Sequence, residues 1–73
     1  MFASDLAILL KSRYTGAQKG DKVLSLYLFG IEYAEALEGH SLGDLCENAG
    51  ISRSFGTELA KARRLAPHVR LNK

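Results

Sequence analysis

The chain contains no tryptophan, one proline, one methionine and one cysteine among its 73 residues. The lone cysteine, Cys46, excludes an intramolecular disulfide, so no covalent staple supports a fold of this size. That usage fits a reducing, cytoplasmic setting better than secretion. The start, Met1-Phe2-Ala3-Ser4-Asp5, lacks the basic stretch and apolar run that a signal peptide requires. Long apolar runs are missing as well. The longest, Val23 to Ile31, is interrupted by Ser25 and Gly30, whereas a membrane span needs about 18 such residues. The expectation is a soluble chain away from any membrane. Scarce proline and a hydrophobic content of 47 % argue against disorder and for a packed core.

The length allows a single domain over residues 1–73. A domain this small buries only about 60 % of the surface its unfolded chain exposes, and pairing with a second copy is a common remedy. The net charge of +2 says little, but its distribution says more. Through Glu38, the acids Asp5, Asp21, Glu32, Glu35 and Glu38 slightly outnumber Lys11, Arg13, Lys19 and Lys22. From Ser52 onward, Glu58 alone faces Arg53, Lys61, Arg63, Arg64, Arg70 and Lys73. A basic carboxyl-terminal third is a common footprint of a phosphate-facing surface; an ordinary solvated helix face carries the same residues.

Hydrophobic spacing predicts helices throughout. Ser4 is placed to cap a first helix that carries Leu6, Leu9 and Leu10 on one face and fades near Arg13. The segment Tyr14 to Gly20 reads as a loop. Its glycines, Gly16 and Gly20, invite comparison with a phosphate-binding loop. The comparison fails, because Asp21-Lys22 stands where that loop needs a Lys-Ser/Thr pair and the glycine spacing is one residue short. Asp21 opens the longest helix, Lys22 to Glu38, whose apolar residues cover most of its circumference in the first half. Such a helix needs cover on several sides. It is therefore expected as the central post, with a surplus face around Phe29 and Tyr33 left for a partner. Tyr27 and Tyr33 are expected to pack with their hydroxyls reaching water. Gly39 ends this helix in a left-handed cap. Ser41 starts the next, with Asp44 completing an acidic capping box, and Leu42, Leu45 and Ala49 line its inner side. Gly50 ends it, Ile51 plugs the corner, and Ser52 caps a last helix that runs to Leu65 or Ala66, ahead of Pro67. The sum is an all-α, compact four-helix domain.

The segment Leu42 to Lys61, LGDLCENAGISRSFGTELAK, resembles the bacterial helix-turn-helix. Cys46 supplies the small residue in the middle of its first helix, Gly50 the left-handed turn, and Ile51 the apolar seal after it. Leu42, Leu45, Ala49 and Leu59 lock the pair together, and the motif extends over residues 41–66. One position departs from the pattern. Gly56 stands where an aliphatic residue is usual, at a cost of about 1 kcal/mol in helix propensity relative to alanine, and it allows a close helix–helix approach. Phe55, Leu59, Ala62 and Ala66 still form an inward stripe. More loosely, the whole chain is similar to small bacterial domains described only as helix-turn-helix-like.

The resemblance implies a DNA-binding domain, a small bacterial or phage transcriptional regulator that places the Ser52–Leu65 helix in the major groove. The excess apolar surface of the Val23–Leu37 helix, with the weak affinity expected of one short reading helix, points to a homodimer. The resemblance assigns the outer face of the Ser52–Leu65 helix to Ser52, Arg53, Ser54, Thr57, Glu58 and Lys61. Arg53 is the first choice for a base contact, since a guanidinium takes guanine O6 and N7 together. Ser54 and Thr57 are placed for base or phosphate, and Glu58 for cytosine. Lys61 and Arg64 are placed for phosphates, which position without reading sequence. The amides of Leu42 and Gly43 are candidates for a further phosphate contact. Arg13, Lys19, Arg63 and Arg70 form a second tier.

Catalysis is not expected. Cys46, His40 and His68 have no metal-ligand spacing, and no cofactor is implied. The carboxylates of Glu32, Glu35 and Glu38 lie at helical neighbour spacing on a solvent-facing strip, with no recess implied. The rival reading is a protein–protein interaction module that reuses the helix-turn-helix fold. DNA binding calls for a continuous basic surface over Arg53, Lys61 and Arg64. A protein partner calls for an exposed apolar patch instead.

Overall fold

In the computed structural model, which describes residues 1–71, five α-helices and two short 3-10 segments fold around one apolar core. The helices are α1 (Ala3–Gly16), α2 (Lys22–Glu32), α3 (Ala34–Leu37), α4 (Leu42–Asn48) and α5 (Gly56–Leu65). The 3-10 segments, Arg53–Phe55 and Ala66–His68, flank α5. The core draws on every helix, with Leu6, Leu10, Leu26, Phe29, Leu37, Leu45, Cys46 and Leu59 sealed from solvent. Helix α2 packs most extensively on α5 and also covers α1, so it is the central post that its apolar circumference demands. No helix among the described residues is long and apolar enough to cross a membrane.

Several boundaries differ from the sequence-based expectations. Ser4 does not cap α1. The Phe2 carbonyl already accepts from the Asp5 and Leu6 amides at 3.1 Å, so the helix begins two residues earlier and Ser4 falls inside its first turn. The helix also continues beyond Arg13 to Gly16, because Lys22 arrives at its far end. Lys22 Nζ donates to the Tyr14 carbonyl at 2.8 Å and to that of Thr15 at 3.3 Å, and lies 5.3 Å from the Tyr14 ring. A cation on the last carbonyls satisfies orphan acceptors and complements the helix dipole.

The long helix expected over Lys22 to Glu38 is two helices. Tyr33 leaves the helical region at φ −107° and ψ 25°, its ring held against Phe29 at 4.8 Å between centroids and under Arg13. The break turns α3 toward α5, where Leu37 is buried and its carbonyl accepts from Arg63 Nη1 at 3.4 Å. Phe29, expected near a surplus face, is fully buried. The surplus face lies instead on α2's other side, where Val23, Leu24 and Leu28 stay 42–53 % exposed.

The crossing of α2 and α5 has almost no spacer. A β-carbon on Gly30 would stand 2.5 Å from Ala62 Cβ and 3.2 Å from the Leu59 carbonyl oxygen. The missing side chain at Gly30 thus sets how closely the two helices approach.

Candidate nucleic-acid interface

The motif is built by local chemistry. The Ser41 hydroxyl accepts from the Asp44 amide at 3.5 Å and starts α4. At the other end the Gly50 amide donates to the Glu47 carbonyl at 3.0 Å and the Ile51 amide to that of Cys46 at 2.9 Å. This paired pattern closes a helix on a left-handed residue, and Gly50 adopts φ +76°. Ile51 and Cys46, joined by that last bond, are both buried beneath it. Burial pushes the Cys46 thiol above its ordinary value, as expected of a small core residue.

The second helix starts differently from expectation. The Ser52 hydroxyl accepts from the Ser54 amide at 3.4 Å and opens the 3-10 segment Arg53–Phe55 before α5 proper begins at Gly56. The close helix–helix approach foreseen at Gly56 is present. A β-carbon there would lie 2.7 Å from Gly43 N, 2.9 Å from Gly43 Cα and 3.0 Å from the Leu42 carbonyl carbon. The start of α5 therefore sits on the start of α4, against the Leu42–Gly43 backbone, where Gly43 itself is half-buried.

Leu59 and Ala62 are buried and Phe55 is half-buried, with its ring 6.3 Å from that of Tyr14. The opposite side of the motif carries Ser52, Arg53, Ser54, Thr57, Lys61 and Arg64, all exposed. Ser54, Thr57, Lys61 and Arg64 follow a spacing of three, four and three, which holds them on one stripe.

Glu58 departs from this face. It is half-buried, and its Oε2 accepts from the Tyr27 hydroxyl, so the carboxylate leans toward α2. That bond raises the Tyr27 phenol above its ordinary value, with desolvation and the Glu58 charge adding to it. Lys61 Nζ stands 3.9 Å from Glu58 Oε1, a loose pair that leaves the lysine side chain 60 % exposed. Arg53 is also engaged, since its Nη1 donates to Asp44 Oδ1 across the turn. The Asp44 carboxyl is held below the usual carboxylate range, mainly by that bond and then by the Arg53 charge.

The second tier divides. Arg13 binds Glu32 at 2.7 Å with its guanidinium over Tyr33, and Arg63 ties α5 to Leu37, so both brace the fold. Lys19 and Arg70 are exposed, and Lys73 lies outside the described residues. Glu32, Glu35 and Glu38 were expected to border no recess, yet they line an open groove of about 790 Å³ with Tyr33, Arg63 and Pro67. The turn at Tyr33, which bends α3 toward α5, creates it. Among the described residues, no three His, Cys, Asp or Glu side chains converge to hold a metal ion.

No curated protein and no solved structure matched the chain. Residues 3–72, nearly the whole length, match the family described as HTH-like domain, and the protein belongs to that family.

Proposed function

We propose that the chain binds double-stranded DNA, seating the Arg53–Phe55 turn and the first turns of α5 in the major groove, and that it serves as a small cytoplasmic transcriptional regulator. The observation that carries this reading is the outer face of the motif, where Ser54, Thr57, Lys61 and Arg64 share one exposed stripe. Its one expected acid, Glu58, is drawn back toward Tyr27. Hydroxyls on the amino-terminal part of that stripe suit base edges and phosphates alike, and the cations beyond them suit phosphates. The role proposed is binding, without catalysis. Fluorescence anisotropy of a labelled random-sequence duplex tests it. Saturable binding that weakens steeply between about 50 and 200 mM salt is the expected result. Failure to bind at low salt and tens of micromolar protein overturns it in favour of the protein-docking reading, which the exposed Leu24 and Leu28 on α2 favour.

We further propose a homodimer that covers this α2 face. Leu24 and Leu28 lie one helical turn apart and are 53 % and 42 % exposed, an apolar strip that water solvates poorly. Light scattering at high micromolar concentration is expected to give twice the chain mass, and Leu24→Glu is expected to return it to the monomer. A strict monomer for the unaltered chain rejects the dimer.

A further inference from the structure

The ion pair between Asp44 and Arg53 changes what the proposed DNA-binding face can offer. Both side chains are more than half exposed, at 58 % and 56 %, yet the arginine does not project freely. Its stem lies across Gly43, where a β-carbon would stand 3.1 Å from Arg53 Cγ and 3.3 Å from Cζ and Nε. The bare backbone at Gly43 thus provides a shelf, and the Asp44 carboxylate beside it receives Nη1. The Ser52 hydroxyl, accepting from the Ser54 amide, fixes the turn from which Arg53 springs. Arg53 remains fully cationic, its guanidinium held further above its usual value by Asp44 first and by Glu47 as well.

Asp44 lies in the first turn of α4. In a docked helix-turn-helix the first helix of the motif crosses the DNA backbone. A carboxylate there meets phosphates of like charge. It also occupies the one cation best placed at the amino-terminal end of the reading face.

We propose that Asp44 restrains indiscriminate DNA binding by clasping Arg53 over Gly43, so that the guanidinium is released only to a site whose own acceptors displace the carboxylate. This inference rests on the DNA-binding reading above. Exposed ion pairs are weak and exchange readily, and a neutral guanine edge offers the guanidinium two acceptors without the like-charge repulsion that an anionic phosphate meets from the Asp44 carboxylate beside it. Asp44 is in this sense a specificity-determining residue, acting through Arg53.

The test compares four proteins on random-sequence duplex over a salt series: the unaltered chain, Asp44→Asn, Arg53→Ala and the double variant. Circular dichroism melting accompanies each, to establish that it is folded. Asp44→Asn keeps the side-chain shape and leaves the Ser41 cap, which binds the backbone amide, in place. It is expected to tighten random-sequence binding about fivefold near 50 mM salt and to steepen the log–log salt slope by about 0.9, the signature of one more phosphate neutralised. Arg53→Ala alone is expected to change that binding less than about twofold, and to abolish the gain when added to Asp44→Asn. If Asp44→Asn binds no more tightly than the unaltered chain, or if its gain survives Arg53→Ala, the clasp is overturned while DNA binding stands. If none of the four binds duplex, the DNA-binding reading falls and the clasp with it.

Discussion

Gly30→Ala is expected to lower stability by about 2 kcal/mol, against the direction of helix propensity. Alanine is favoured over glycine inside a helix by about 1 kcal/mol, so an unpacked site would gain from the change. At Gly30 the new methyl would stand 2.5 Å from Ala62 Cβ, and both carbons are anchored directly to backbone. No rotamer can relieve that contact. The axes of α2 and α5 must separate, which loosens Phe29 and Leu59 on either side of it. Overpacking of this kind costs about 1–3 kcal/mol, and the rigid contact puts Gly30 at or above the top of that range before the propensity gain is deducted. In a domain whose total stability is on the order of 5 kcal/mol, such a loss moves the urea midpoint visibly. The double variant Gly30→Ala/Ala62→Gly moves the methyl from one helix to the other. It is expected to recover most of the loss, giving a coupling well above that of distant sites. Urea unfolding followed by circular dichroism measures both, and a Gly30→Ala variant more stable than the unaltered chain would refute the crossing as described.

The second large effect concerns DNA. Lys61→Ala/Arg64→Ala is expected to weaken duplex binding at least tenfold near 50 mM salt. It is also expected to flatten the log–log salt slope by about 1.8, or about 0.9 for each phosphate no longer neutralised. Both side chains are exposed and separated by one helical turn on the same stripe of α5. Lys61 is only loosely paired with Glu58, at 3.9 Å, so its charge is available to an incoming phosphate. Phosphate contacts carry no sequence information, and the weakening should therefore be nearly equal on any duplex. Neither residue contributes to the core, so thermal unfolding should be little changed. An unaltered salt slope would remove α5 from the proposed interface.

Much of this was legible in the sequence because it is local. Gly39 and Gly50 take positive φ as their place after a helix requires. Ser41 and Ser52 each accept an amide two or three residues on, as capping residues do. Ile51 seals the corner, and the buried set Leu42, Leu45, Ala49 and Leu59 follows from helical spacing alone. The outer face was legible for the same reason, since whatever opposes a buried stripe must face water. Apart from the Ser4 cap, which the neighbouring Phe2 carbonyl displaces, the reading failed where a partner distant in sequence intervened. Lys22 lengthens α1 from beyond the loop. Tyr27, 31 residues before Glu58, draws that carboxylate off the open face. At Gly56 the close approach expected from the sequence is present, and the structure adds that the backbone beneath it is that of Gly43.

The sequence by itself determined the all-helical class, the place of the turn at Gly50 and the polar identity of the motif's outer stripe. Each depends on backbone preference and on the 3.6-residue period, which operate within a few positions along the chain. Only the tertiary structure decided which charges on that stripe are open. Arg53 is clasped by Asp44, Glu58 is turned toward α2, and Lys61 and Arg64 remain exposed. Those pairings depend on how closely helices approach at Gly30, Gly43 and Gly56, a distance fixed by side chains that are absent and hence by backbones meeting across the fold.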